Sequence, residues 1–479
     1  ILNIVELLAT TTGASKPAIR LLLSVFLSYP ISIFYRNLNL SKFAKSLYLS
    51  IFGIAIVVYN YGYDVYHSVL AVAVTYLLNK TVRHTKFFVP LSFIFHMGYL
   101  LLGYYFTTTD SYDIKWTMPH CVLVLRLIGL AFDLSDSDEK IRKNKTDNTC
   151  LQNDPSLLEL TGFTYFPATV LVGPQFSFLR YERFIDGKYE AHLNGRVSYA
   201  IQRLLLGLLY LAFNQYFAAI YSDSYMLSPE YEQETIFWKL IYLGLWGKFT
   251  LYKYMSIWML AEGGVILSGL TYIDAKPGDR DYDKNELSGC TNIKLSVFEN
   301  ASKFTHYVDS FNLQTNKWVA TYVYKRLKFL NNRILSHLGA LLFLAVWHGF
   351  HSGYYMTFFM EFIVIRFEKE VEPIFQNNED FQNFISKPYI KPLIFILLKF
   401  YTIVFSGWCL IPFALLSVSK WLHVYGVVGY VGFLLFVPGN IIIRPLLATF
   451  LKPTKTKNKN LDNNKEKQSV PNSTNIKTD

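Results

Sequence analysis

The sequence predicts an all-α protein that crosses a membrane several times. Of its 479 residues, 52% are hydrophobic and only 17% are charged, whereas soluble domains are about 25% charged. The apolar residues form blocks of roughly 17–25 residues, the length of a helix that crosses a hydrocarbon core about 30 Å thick. This pattern excludes a water-soluble enzyme, a secreted disulfide scaffold and a disordered chain. The blocks cover residues 18–35, 47–62, 87–106, 200–220, 237–270, 334–367, 393–416 and 424–443.

One further apolar span and an irregular segment are predicted between the third and fourth of these blocks. The span over 116–132 contains Arg126, and a charge at membrane depth must be paired or face a cavity, so Arg126 is expected to point into the protein. Residues 133–155 mix charges with few apolar residues and predict a solvated loop. Residues 156–184 are apolar but hold two prolines, which free backbone groups that only protein or cavity water can satisfy. We expect a broken or re-entrant segment buried in protein.

Two later blocks are longer than one membrane crossing. Residues 237–270 and 334–367 would each extend ~51 Å as one helix. The first must tilt, project outward or break at its glycines. In the second, Gly349 and Gly353 lie mid-segment, where a kink or a close approach by a substrate is tolerated.

The charge distribution and the cysteine spacing indicate which binding partners and which domain organisation to expect. Basic residues lie mostly in connections and in the tail, so the net charge of +11 reflects the positive-inside bias and anionic lipid, not nucleic acid. Residues 1–450 are expected to form one membrane domain, and the Lys/Asn-rich residues 451–479 a disordered cytosolic tail. The four cysteines show no metal-ligand spacing, so no metal site is predicted. A Cys150–Cys290 bridge is left open.

The residues best suited to chemistry lie between 310 and 362. A helix from Asn312 to a turn near residue 331 would be ~28 Å long, and the return to His348 ~23 Å. A helical hairpin would therefore bring His348 back to nearly the depth of Asn312. A neutral imidazole can take a proton from an alcohol, and an Asn amide can orient that group or stabilise an oxyanion. A buried interhelix contact is the alternative role for His348, and His351 could equally be the base.

The outgoing arm of this hairpin carries a stripe of polar and basic side chains. Their i, i+3, i+4, i+7 spacing places them on one helix face, a mixture that suits phosphates and an adenine ring. A membrane-interface belt explains them equally well. Glu262 and Glu361 are carboxylates within apolar blocks, each either a partner for a buried base or a group that lines a cavity. The stripe consists of Thr321, Tyr324, Lys325 and Lys328.

Two motifs carry a family resemblance. The run WHGFHSGYY at 347–355, with SFNLQTNKWVA at 310–320, resembles the membrane-bound O-acyltransferase family, specifically its branch that acylates lysophospholipids. Further similar stretches are YDIKWTMPHCVL at 112–123 and WGKFTLYKY at 246–254. The combination is highly specific, whereas the WHG triplet alone is not.

The resemblance implies a fold of about eleven transmembrane or re-entrant helices that enclose a catalytic chamber. By similarity, His348 matches the catalytic histidine of the family and Asn312 its partner. The implied reaction transfers an acyl group, preferably polyunsaturated, from acyl-CoA to the sn-2 hydroxyl of a lysophospholipid. His348 would act as general base for direct attack on the thioester. No covalent acyl-enzyme and no cofactor besides the co-substrate acyl-CoA is implied.

The resemblance also bears on partners and location. The implied partners are acyl-CoA, a lysophospholipid and membrane lipid, with a second copy of the chain as a further candidate. An endoplasmic-reticulum membrane is the implied location, although the last five residues hold one lysine where a dilysine retrieval signal needs two. Substrate contacts are expected from Trp318, Thr321, Tyr324, Lys325, Lys328, Trp347, His351 and Glu361.

Two alternatives to this reaction remain. Within the family, the acceptor could be a secreted protein, a sterol or diacylglycerol; the FYxDWWN-type motif of the sterol and diacylglycerol branch is absent. Outside it, a transporter could use Arg126, Glu262, His348 and Glu361 as an intramembrane polar pathway. The transporter hypothesis predicts inverted repeats, and none is visible in the sequence.

Overall fold

The structure is a computed structural model that describes residues 2–109, 114–192, 194–273 and 285–451. In these ranges the chain is helical, and the only β-type pairing is a single antiparallel bridge between Ile293 and Phe311. The longer helices are Lys16–Asn37, Lys42–Tyr61, Val65–Thr81, Phe88–Thr107, Thr117–Arg142, Arg196–Ile220, Ile236–Ser268, Arg333–His348, Ser352–Gln376 and Lys391–Leu415. The shorter ones are Leu2–Thr12, Leu157–Thr164, Phe178–Ile185, Asp223–Met226, Pro229–Gln233, Leu295–Glu299, Phe304–Val308, Leu313–Val319, Glu379–Ile385, Val418–Val427, Val431–Phe436 and Arg444–Phe450.

Seven apolar helical stretches of the described chain are long enough to cross a membrane. They confirm the prediction of an all-α polytopic membrane protein, while the count of about eleven stays a prediction. The segment 334–367 is not one span, because its helix ends at His348 and a new one begins at Ser352, as the glycines there predicted. The seven stretches are Lys16–Asn37, Lys42–Thr81, Phe88–Thr107, Thr117–Arg142, Arg196–Met226, Lys391–Leu415 and Val431–Phe450.

The described chain forms two compact units. The larger consists of residues 1–362 and 399–431, and the smaller of residues 363–398 together with the chain from 432 onward. Within the smaller unit, Arg444 pairs with Glu370 at 3.2 Å. Residues 452–479, which carry the predicted disordered tail, lie outside the described residues.

The helix Ile236–Ser268 is 33 residues long and unbroken. Of the three alternatives for this block, a break at its glycines is therefore excluded, because these glycines serve close helix packing. A Cβ atom on Gly247 would lie 2.4 Å from the Cα of Gly407, and one on Gly263 would lie 2.1 Å from the hydroxyl of Tyr29. No side chain fits at either contact.

Arg126 points into the protein, as predicted, and binds the irregular segment that follows its helix. Its guanidinium donates to the carbonyl oxygens of Phe163 and Thr164, both at 3.1 Å, and to the hydroxyl of Thr169 at 3.0 Å. Residues 156–184 form two short helices around a buried stretch without regular structure, which confirms the predicted broken segment. The guanidinium of Arg126 thus donates hydrogen bonds to carbonyl groups that have no partner within a helix.

The predicted solvated loop over 133–155 is wrong in its first part, because the helix Thr117–Arg142 continues through it. Asp133 accepts a hydrogen bond from the Tyr322 hydroxyl at 2.6 Å, and Asp138 pairs with Arg83 at 2.8 Å. Both acidic side chains have partners that are distant in sequence, so the helix can continue beyond its apolar run.

Cys150 and Cys290 are both buried and both free thiols. The bridge left open from the sequence does not form.

Candidate active site

The predicted hairpin is present and brings Asn312 and His348 to one chamber. Its outgoing arm begins at Asn312, the residue before the helix Leu313–Val319, and its returning arm is the helix Arg333–His348. The turn lies at Asn331, whose φ of 49° is the left-handed conformation that Asn tolerates. Asn312 and His348 both line the same cavity, so the hairpin brings the two residues together.

The chamber has a volume of about 640 Å³, within the range of about 300–1,000 Å³ usual for small-molecule sites. All of its lining residues belong to the larger unit. Most are apolar or aromatic, and a few polar groups converge among them. The polar lining residues include Asn312, Asn316, His348, His351, Glu361 and Lys253.

His348 is the last residue of its helix and projects among aromatic rings. Gly349 follows with a φ of 122°, a conformation that favours glycine and ends the helix. The imidazole lies 5.4 Å from the ring of Tyr354, 5.6 Å from that of Phe358 and 5.0 Å from that of Phe413, centre to centre. Its ring nitrogens make no hydrogen bond to any described residue. The imidazole is therefore held by packing and can accept a proton from a molecule in the chamber.

Two tryptophans fix the hairpin against the helix Thr117–Arg142. The indole N–H of Trp347 donates to the carbonyl of Cys121 at 3.0 Å, and that of Trp318 donates to the carbonyl of Leu125 at 2.8 Å. Trp347 also lines the chamber, whereas Trp318 is buried in the core and is not among the lining residues. Trp318 thus has a structural position instead of the substrate contact that was predicted.

His351 and Glu361 both line the chamber, as expected for the predicted substrate contacts. His351 differs from His348 in having a polar partner, because its Nε2 lies 3.1 Å from the hydroxyl of Thr108. The other carboxylate considered from the sequence, Glu262, is engaged elsewhere: it accepts from Arg203 at 3.0 Å and from Thr291 at 2.7 Å, and it does not line the chamber.

The predicted stripe on the outgoing arm does not reach the chamber. The prediction assumed an unbroken α-helix, which is wrong: Ala320–Tyr324 is a π-helix and Arg326–Leu330 a 3-10 helix. With about 4.4 and 3 residues per turn instead of 3.6, the i, i+4, i+7 spacing no longer marks one face. The residues concerned are Thr321, Tyr324, Lys325 and Lys328, none of which lines the chamber.

One residue beside Asn312 was missed from the sequence. Asn292 is buried, with 3% of its surface exposed, and its side chain donates to that of Asn312 at 3.3 Å. The two asparagines are twenty positions apart in segments without helical periodicity, so no sequence pattern indicated the contact.

Comparison with known families identifies the fold that this site belongs to. The family model described as MBOAT, membrane-bound O-acyltransferase family, matches residues 101–411. The matched region contains Asn312, His348 and the whole hairpin between them. The chain belongs to the membrane-bound O-acyltransferase family.

Curated members of the membrane-bound O-acyltransferase family are similar over nearly the full chain. A Lysophospholipid acyltransferase 5 from Drosophila melanogaster is 43% identical over 448 residues, which cover 90% of this chain and 87% of that protein. The proteins of the same name from Homo sapiens and Caenorhabditis elegans are 37% and 31% identical over 462 residues each. The human match covers 95% of this chain and 94% of the relative, and the nematode match 94% and 95%.

Proposed function

We propose that this protein transfers an acyl group from acyl-CoA to the sn-2 hydroxyl of a lysophospholipid. The proposal rests on three supports: family membership, the name Lysophospholipid acyltransferase 5 shared by relatives that cover most of the chain, and the chamber that holds Asn312 and His348. The proposed acceptor is lysophosphatidylcholine, with ethanolamine and serine forms as further acceptors. The proposed donors are polyunsaturated acyl-CoAs, in the endoplasmic-reticulum membrane.

In the proposed mechanism His348 is the general base. A free ring nitrogen takes the proton of the sn-2 hydroxyl as its oxygen attacks the thioester carbonyl carbon. The C–S bond then breaks, and the CoA thiolate leaves with the proton that His348 has taken. Acyl-CoA and lysophospholipid become diacyl phospholipid and CoA, so no covalent acyl-enzyme is needed.

The observation that carries this proposal is the hydrogen bonding of the two histidines that line the chamber. In His351 the Nε2 atom contacts the hydroxyl of Thr108, which leaves only Nδ1 open, whereas neither ring nitrogen of His348 is hydrogen-bonded to a described residue. A base must keep a nitrogen available for its substrate, and both nitrogens of His348 meet that condition. We further propose that Trp347, His351 and Glu361 contact the substrates in the chamber, whereas Trp318, Thr321, Tyr324, Lys325 and Lys328 lie outside its lining.

The test compares His348→Ala with His351→Ala in membranes supplied with arachidonoyl-CoA and a panel of lysophospholipids. CoA release and diacyl product are both measured. We expect His348→Ala to lose at least about 100-fold in product formation, the lower end of the range for a general base, and His351→Ala to lose less. His337→Ala is the matched control, because His337 lies on the same helix outside the chamber lining.

Three results would contradict the proposal. Product formation that persists in His348→Ala would remove His348 as the base. CoA release without diacyl product by the unaltered protein would indicate another acceptor or thioester hydrolysis. No thioester turnover with any acceptor would favour a transport role.

A further inference from the structure

The segment that carries Asn312 lines the chamber and pairs with a second short segment behind it. The amide N–H of Lys294 donates to the carbonyl of Ser310 at 2.9 Å, and the N–H of Leu313 donates to the carbonyl of Asn292 at 3.1 Å. The single antiparallel bridge between Ile293 and Phe311 lies between these two bonds. Asn292 is thereby held at a fixed place next to Asn312.

Hydrogen bonds determine which way the Asn292 amide faces. The backbone N–H of Gln314 donates to Oδ1 of Asn292 at 3.0 Å. Because a backbone N–H can only donate, the side-chain atom it meets must be the oxygen. The other end of the Asn292 amide is therefore the NH₂ group, which can only donate. That group is the one that contacts Asn312.

The orientation of the Asn312 amide follows from that of Asn292. The atom that receives the Asn292 NH₂ must be an acceptor, so it is Oδ1 of Asn312, at 3.3 Å. The NH₂ group of Asn312 is left without a hydrogen bond to any described residue. Asn312 lines the chamber and has a left-handed backbone, with φ of 50° and ψ of 43°. The chamber therefore faces a donor.

A buried ion pair anchors the segment that carries Asn292. Glu262, with 1% of its surface exposed, accepts from Arg203 at 3.0 Å and from the hydroxyl of Thr291 at 2.7 Å. Arg203 also donates to the carbonyl of Ile293 at 3.2 Å. The residues on both sides of Asn292 are thus tied to two long helices, which leaves the Asn292 side chain little freedom to turn.

We infer that Asn292 is a positioning residue that makes Asn312 a hydrogen-bond donor toward the reacting group. This inference rests on the proposed function. The group that gains negative charge during acyl transfer is the thioester carbonyl oxygen, and a fixed NH₂ donor stabilises that oxygen as the hydroxyl attacks. Asn312 accordingly acts on the acyl donor, and His348 on the acceptor hydroxyl.

The deciding variant is Asn292→Asp. Its carboxylate still accepts from the Gln314 N–H, so the segment stays anchored, but it has no proton to donate to Asn312. The Asn312 amide must then turn its NH₂ group toward the new carboxylate, away from the chamber. We expect kcat to fall on the order of 10- to 100-fold, part of the loss seen when an oxyanion donor is deleted, with KM for both substrates changed less than about threefold. Asn300→Asp, an exposed change eight positions along the chain, is the matched control.

A double-mutant cycle separates positioning from a general structural effect. In an Asn312→Ala background, Asn292→Asp should cost nothing further in kcat, because the amide it orients is gone. Multiplied losses would overturn the inference, as would an Asn292→Asp variant with unchanged kcat. An inactive unaltered protein would refute the proposed function instead.

A second variant keeps the inference testable if Asn292→Asp does not fold. In Asn312→Asp one carboxylate oxygen still accepts from Asn292, but the chamber faces an acceptor where it faced a donor. We expect this variant to lose about 100-fold in kcat. Activity within threefold of the unaltered protein would mean that Asn312 serves as an acceptor, which would overturn the donor role.

Discussion

Gly353→Ala tests how closely the helix after His348, the proposed base, packs against its neighbour. A Cβ atom at Gly353 would lie 1.9 Å from the carbonyl oxygen of Pro412 and 2.7 Å from its carbonyl carbon. Ordinary contact begins near 3.4 Å, so the two helix backbones must separate by about 1.5 Å. Pro412 precedes Phe413, whose ring lies 5.0 Å from that of His348. The shift is therefore transmitted to the imidazole.

We expect Gly353→Ala to cost stability and activity together. Overpacking against a backbone carbonyl costs about 3 kcal/mol, which corresponds to a thermal midpoint about 3–6 °C lower in detergent. Displacing a reacting group by about 1 Å costs up to about 100-fold in rate, so acyl transfer should fall by at least tenfold.

Gly98→Ala is the matched control for this prediction. Gly98 is also helical, but nothing lies within 4 Å of an added Cβ, so this change should be neutral or slightly stabilising because Ala favours helix. A Gly353→Ala protein with the midpoint and the acyl transfer of the unaltered protein would refute the packing argument.

Three further predictions concern polar contacts around the chamber. Arg126→Met should lower the free energy of unfolding by about 3 kcal/mol, because it leaves buried carbonyls without donors; the thermal midpoint in detergent measures this. Trp347→Phe loses the bond to the Cys121 carbonyl and should cost about 1 kcal/mol together with part of kcat, whereas an unchanged kcat would show that this bond does not position His348. Burial raises the pKa of Glu299, but the charge and hydrogen bond of Lys248 together with hydrogen bonds from Tyr252 and Tyr210 hold that pKa below the ordinary 4.5. The stabilisation from this carboxylate is therefore present above pH 4.5 and lost as the pH falls through the lowered value, so thermal midpoints measured below pH 4.5 should fall less in Glu299→Gln.

The features predicted correctly from the sequence are those that local rules determine. A charge at membrane depth has to be paired, which placed Arg126 inside, and two glycines near His348 marked where a 34-residue block divides. The continuation of the helix through Asp133 was missed for the opposite reason. Its acidic residues are paired by Tyr322 and Arg83, which are far away in sequence, so the charges alone resembled a solvated loop.

In the candidate site, too, some features were predictable from the sequence and others were not. The lengths of the hairpin arms were enough to predict that Asn312 and His348 lie near each other, although the outgoing arm is not a regular α-helix. The position of side chains around the outgoing arm was not predictable, since the π-helix and 3-10 helix change the angle per residue. The contact of Asn292 with Asn312 could not be predicted either, because a hydrogen bond between two irregular segments produces no periodic pattern in the sequence.

The break at Gly349 has an electrostatic consequence for the proposed base. Because the helix Arg333–His348 stops at the histidine, its last carbonyl groups carry a partial negative charge of about half an elementary charge beside that ring. When the imidazole takes up a proton it becomes a cation, and a cation at a helix C-terminus is stabilised by about 0.3–2 kcal/mol. The glycine that ends the helix thus also directs the helix dipole at the side chain that becomes positive in the proposed mechanism.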